Sequence, residues 1–260
     1  MDSLGRVKGR FLFCAAALCL AMATAGTATA AGAHNPCLGP DAGQLLCPNL
    51  RIGVPADLYM QRSGGRMLLR ATSDVKSRGR GPIELRGVRN GWGTMRTRQR
   101  IYRVGGGHLD VPSAATLRFT GVGAYFGGSY WKVHRLAEFE LWRVDAQRQL
   151  TTRARVGPKL NYCLRDLERT NPGPRSPGSR HYPGCNQNPY RDAVTLGTSV
   201  GWSDIYPAPY HQQWINVAGL RGCFAFVMKV DPQGLLYESN ETDNASRRLV
   251  RLPYRGDRGC

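Results

Sequence analysis

The chain has 260 residues, with 36 Lys and Arg against 18 Asp and Glu, a formal net charge of +18, and 32 glycines and 16 prolines. Its basic residues are spread along the chain and do not cluster with aromatics in one stripe, which argues against a nucleic-acid-binding surface. A charge this large favours acidic polymers as surroundings, an anionic cell wall among them.

In chain order, MDSLGRVKGR is a short basic region, and the apolar, small-residue run FLFCAAALCLAMATAGTATA follows it. The run closes on small residues around Ala28 to Ala30, so residues 1–30 read as a signal peptide and the protein as secreted. No segment is apolar for long enough to predict a membrane span. Residues 31–46 read as a lead-in, 47–254 as the main domain and 255–260 as a tail. Without Cys14 and Cys19 the exported chain keeps Cys37, Cys47, Cys163, Cys185, Cys223 and Cys260. An even number in an exported chain predicts up to three disulfides. Cys37–Cys47 and Cys163–Cys185 are the favoured pairs, since each closes a short loop; the connectivity is otherwise open.

DLYMQRS, RMLLRATSD, PIELRG, IYRVGGG, EFELWRVD, CFAFVMKVD and RRLVRLPY predict strands of about four to eight residues, separated by turn residues. No window carries a capped 3.6-residue apolar period. The expected class is therefore all-β, an antiparallel sandwich or barrel. Residues 169–192, RTNPGPRSPGSRHYPGCNQNPYRD, form a long Pro/Gly/Asn-rich loop of the kind that is functional or pinned by a disulfide.

Lysine is scarce: Lys8, Lys76, Lys132, Lys159 and Lys229 stand against 31 arginines. Arginine holds its proton, whereas a lysine amine becomes a nucleophile when burial lowers its pKa. Lys159, in RVGPKLNYCLRDL, thus stands out, although on local sequence alone it also reads as a snorkelling lysine at a strand end.

GPKLNYCLRDL, GTSVGWSDIYPAPYHQQWINVAGL and YESNETDN follow one another in this order, and together they resemble the lysyl oxidase family. The resemblance runs from CPNL near residue 47 to RLPY near residue 254 and is closest to bacterial members. It implies an antiparallel β-sandwich of lysyl oxidase type with long disulfide-pinned loops. It also implies a secreted copper amine oxidase, which deaminates primary amines (peptidyl lysine or small amines) to aldehydes with release of peroxide and ammonia. Lys159 and Tyr206 stand where that family forms lysine tyrosylquinone, and Asp204 is the candidate base. A spacing of two puts Asp204 and Tyr206 on one face of a strand.

The family's copper run is H-x-H-x-H. Aligned on Trp131 and the EFEL that follows, its three positions fall here on Gly128, Tyr130 and Lys132. His134, one strand step further, is the local copper candidate, joined by His108 or His211 from elsewhere. The resemblance also implies a calcium site at Glu238, Asn240, Asp243 and Asn244, with Asn49 and Leu50 from the start of the domain; oxygen donors of this kind suit calcium. A different class of function is also compatible with these residues: a non-catalytic exported β-sandwich binding module that has lost its copper site.

Overall fold

Alternating side chains build the strands. In TMRTRQRIYR, Met95, Thr97, Gln99 and Ile101 are buried while Arg96 and Arg98 face solvent, the period of two that a half-buried strand requires. The computed structural model describes residues 35–122, 127–256 and 260, so the signal peptide expected over 1–30 lies outside the described residues. From Asn35 onward the chain forms one unit, which takes in the described part of the lead-in.

The larger sheet has ten strands. Its antiparallel path runs β11 (Ala193–Thr198), β5 (Ile83–Gly91), β6 (Thr94–Arg103), β7 (His108–Gly121), β8 (Ser129–Val144), β14 (Gly222–Val230) and β15 (Ala245–Leu252). β1 (Leu45–Leu46) pairs with β6, and β9 (Leu150–Val156) and β10 (Leu160–Tyr162) pair with β8. The smaller sheet has five strands: β4 (Arg66–Ser77) pairs with β2 (Leu50–Ile52), β3 (Ala56–Ser63), β12 (Ser203–Tyr206) and β13 (Trp214–Asn216). Leu69 and Val75 of β4 share one apolar cluster with Leu85, Leu117, Trp131, Phe139 and Phe226 of the larger sheet. The protein is an all-β, antiparallel, sandwich-like fold, as its alternating segments predict.

β8 is the exception to alternation. Trp131 to Val133 and Leu136 to Leu141 are all buried, because further chain covers both of its faces. Arg135 interrupts it at φ 54, where the register to β10 shifts between Tyr162↔Val133 and Leu160↔Ala137. A bulge of this kind re-aims the strand that carries Lys132 and His134.

The expected pairs Cys37–Cys47 and Cys163–Cys185 are both formed, each with Cα atoms 5.7 Å apart, and Cys223 pairs with Cys260. The second bridge pins the long loop. Asp166, fully buried, fastens it further by accepting hydrogen bonds from His181 N (2.8 Å), Tyr182 N (3.1 Å), Ser199 N (2.7 Å) and Ser199 Oγ (2.7 Å). Trp131 anchors its far end, donating from its backbone N to Asn186 O (3.0 Å) and from Nε1 to Asn188 O (2.9 Å).

Candidate functional site

Pairing of β12 with β4 sets Tyr206 opposite Ser73 and Asp204 opposite Val75, and both functional candidates are buried from this short strand. The Tyr206 ring stacks on Tyr162, with centroids 4.1 Å apart and planes 14° from parallel, and meets Tyr210 edge-on at 4.7 Å. Its hydroxyl accepts a hydrogen bond from Cys163 N (3.1 Å), tying it to the pinned loop. Burial, followed by the charge of Asp204, raises its pKa well above the ordinary tyrosine value, so the ring is a neutral phenol. Tyr162 is held by the Ser73 hydroxyl, which also reaches Gln213 Oε1 at 2.7 Å.

One side of this stack opens into a pocket of about 340 Å³. Tyr130, Tyr206 and Tyr210 line it together with Lys132 and Arg165. Lys132, 2% exposed, points its amine at the three rings: Nζ lies 5.0 Å from the Tyr206 centroid, 5.3 Å from Tyr210 and 5.8 Å from Tyr130. It also lies 3.4 Å from Tyr210 Oη. Burial pushes the Lys132 amine down to about 8, opposed by the charge of Asp204 and reinforced by Arg165.

Asp204 sits behind the pocket wall with no exposed surface. Arg165 Nε lies 3.5 Å from its Oδ1, yet neither carboxylate oxygen makes a well-formed hydrogen bond. Burial raises its pKa to about 6, against the charges of Arg165 and Lys132. A carboxyl poised there exchanges a proton near neutral pH, which suits acid–base work.

The other sequence candidates have partners of their own. Lys159 Nζ is in contact with the Glu138 carboxylate and is 43% exposed. Partial burial beside Arg135 and Lys229 draws its pKa down, whereas a touching carboxylate favours the ammonium. At this proximity the contact decides, and Lys159 is an ion-paired cation. The amine beside the Tyr206 ring belongs to Lys132. His134 gives Nδ1 to Asn161 Oδ1 at 3.1 Å, and burial followed by Arg118 lowers its pKa. His108 lies 3.8 Å from Asp110 and edge-on to Tyr102, a separate neighbourhood. Burial, followed by the charge of the nearby Lys132, lowers the pKa of His211.

These residues do not fit a copper centre. Among the described residues, the one group of three His, Cys, Asp or Glu ligand atoms within 4.8 Å of one another is Asp231, Glu238 and Glu241, and it contains no histidine.

That acidic group defines the second site. Glu238 is fully buried; Leu50 N donates to its Oε2 and Asn244 Nδ2 to its Oε1 at 2.9 Å. Asn49 Nδ2 reaches Asp243 Oδ2 at 3.1 Å, so the start of the domain meets its last loop. The Oδ1 atoms of Asn49, Asp243 and Asn244 are buried without a hydrogen-bond partner. Three orphaned oxygens beside three converging carboxylates are a hard-cation donor set, and they fit calcium. Burial raises Glu238 to about 8, and the neighbouring Asp231 and Glu241 add to the shift. Asn240 does not join them: its Oδ1 caps Thr242 N (2.9 Å) and Thr242 Oγ1 (2.8 Å). Asp231 and Glu241 escape the sequence reading; the signal for Asp231 was the DPQG turn just after β14.

A scan against protein-family models matches none, and a search of the curated proteins finds no match.

Proposed function

We propose that the chain is an exported β-sandwich binding module of lysyl oxidase type, clasped by calcium and working without copper. One observation carries this reading. Where the family pattern expects a copper histidine, Lys132 stands, buried and aimed at three tyrosine rings. A copper ion beside a lysine amine would meet either a competing positive charge or a single nitrogen donor in place of an imidazole run. Three disulfides support an oxidising, extracellular setting, and among the described residues no helix is long and apolar enough to cross a membrane. In this setting the net charge of +18 favours an anionic wall polymer as the surrounding surface.

In this module the residues have defined tasks. Calcium would be held by Glu238, Asp231, Glu241, Asp243 and the side-chain oxygens of Asn49 and Asn244, and it would supply structural cross-linking. The tyrosine-lined pocket would take the ligand. Its walls are largely aromatic and aliphatic, and Arg165 and Lys132 set its polarity.

The second reading is an amine oxidase acting on primary amines. It is favoured by the buried Asp204 carboxyl, held near 6 on the same strand as Tyr206. The test is to refold the exported form with copper in air, digest it and search by mass spectrometry for a Tyr206 cross-link, with Tyr206→Phe as control. The binding-module reading expects unmodified Tyr206 and Lys159 peptides, no quinone absorbance and no peroxide on adding a primary amine. A cross-link to Lys159 that disappears in Tyr206→Phe, with peroxide release, would establish the oxidase in its place.

A further inference from the structure

The pocket holds an amine whose nucleophilicity neither reading uses. Among the described residues, Lys76 pairs with Asp74 (3.2 Å), Lys229 with Glu140 (2.7 Å) and Lys159 with Glu138. Among the described residues Lys132 has no carboxylate within 4.0 Å; the nearby Asp204 pairs with Arg165 instead. Its amine lines a pocket of about 340 Å³ and faces aromatic rings on three sides.

We propose that Lys132 is a carbonyl-capturing amine, whose Nζ condenses with a small aldehyde of apolar or aromatic body to form a Schiff base inside the tyrosine cage. The proposal rests on the copper-free reading of this pocket. The neutral amine adds its lone pair to the carbonyl carbon, and the C=O π electrons move to oxygen, giving a carbinolamine after proton transfer. Loss of the hydroxyl as water, with the second amine proton released, leaves C=N. Two N–H protons and the carbonyl oxygen depart together as one water, and nothing is oxidised or reduced. Tyr210 Oη, 3.4 Å from Nζ, is the hydroxyl placed to protonate the departing oxygen. Burial raises that hydroxyl to about 12, so it carries its proton at neutral pH.

The charged and titratable groups around Nζ come from several elements. They are Asp204 and Tyr206 of β12, Arg165 of the pinned loop, Tyr130 of β8, and Tyr210 and His211 after β12. Burial, opposed by the charge of Asp204 and reinforced by Arg165, leaves the Lys132 amine at about 8. At pH 7 about a tenth of such an amine is neutral, against roughly 0.03% of an ordinary lysine. The tyrosine rings select the guest, since they offer apolar faces to an aromatic aldehyde and stack on it.

The test uses the exported protein as it is. Benzaldehyde is added at pH 7, sodium borohydride reduces any imine to a secondary amine, and peptide mass spectrometry locates the benzyl group. Labelling of Lys132 is expected to exceed that of Lys76 and Lys229, both held in ion pairs, by about tenfold or more. It should rise with pH and level off above about 8. The same excess should vanish when the protein is unfolded in urea before labelling, and Tyr210→Phe should slow capture several-fold. Labelling of Lys132 no faster than of Lys76 or Lys229 in the folded protein would overturn the proposal. The copper experiment keeps the two failures apart. A quinone at Tyr206 removes the copper-free reading, whereas unmodified Tyr206 with unlabelled Lys132 removes only the Schiff-base proposal.

Discussion

Calcium is expected to raise the melting temperature of the exported protein, and to bind up to about tenfold more tightly for each pH unit gained between about 5 and 8. The reason lies in Glu238. Its carboxyl ordinarily titrates at 4.5, but burial holds it at about 8 in the fold, where Leu50 N and Asn244 Nδ2 only partly compensate. Without metal, the folded state therefore binds more protons than the unfolded chain between those two values. The contribution of this group to stability is fully present below 4.5 and is lost as pH climbs to about 8. Calcium reverses the sign, because it takes the place of the proton and needs the carboxylate ionised. Each binding event below pH 8 thus releases close to one proton, and the pH dependence of affinity flattens above that value. At a hundred times Kd the stabilisation is about 2.7 kcal/mol. Glu238→Gln should abolish most of it while raising the stability of the metal-free protein at pH 8. Melting curves and calorimetry at pH 6 and pH 8, with calcium and with EGTA, measure all of this. Curves indifferent to calcium at pH 8 would sink the calcium clasp.

What made the fold legible was alternation. Seven expected segments lie within or overlap strands, and their turn residues sit at the ends; IYRVGGG, for instance, stops as strand at Arg103, and Gly105, Gly106 and Gly107 then turn with positive φ. β7 was not legible. GHLDVPSAATLRFTG carries Pro112 and a run of small residues, so its pairing with β6 and β8 comes from neighbours and not from its own propensity. The disulfides could be weighed by loop length, but the pinned loop's polar anchor could not, since Asp166 reads in sequence as one more loop carboxylate. The sites split in the same way. Glu238, Asp243, Asn244 and Asn49 stood in a recognisable order, and convergence of Asn49 on Asp243 needs only that first strand and last loop meet. The neighbourhood of Tyr206 depends on which face each strand turns inward. Lys132 stands on β8, which is buried on both faces, so no alternation told its inward side from its outward one. Lys159 lies just before β10, and its ion pair with Glu138 could not be read from spacing, because the bulge at Arg135 shifts the register between them.

Asp166→Ala is expected to cost at least about 3 kcal/mol, because four donors lose one buried acceptor at once. Ser199 Oγ can turn to another partner, but the backbone N–H groups of His181, Tyr182 and Ser199 are fixed by the chain and would be left unpaired, those of Tyr182 and Ser199 in the buried interior. Asp166→Asn should fall between, since its amide keeps one accepting oxygen and turns a donating nitrogen toward the remaining N–H groups. Cys163–Cys185 still closes the loop in both variants, so the damage should be local as well as global. Urea unfolding measures the first part, and limited proteolysis within residues 169–192 the second. The effect should also reach the pocket. Arg165 and Leu167 flank Asp166 in sequence and, with Cys185, form one wall of the cavity around Lys132. A loosened wall admits water to the amine, and rehydration returns its pKa from about 8 toward the ordinary 10.5. Benzaldehyde capture at pH 7 should then drop toward the level of Lys76 and Lys229, although Lys132 itself is untouched. A variant that unfolds at the same urea concentration as the parent would show that Asp166 is not the loop's anchor. One that loses stability yet captures aldehyde as fast would show that the loop does not keep the Lys132 pocket dry.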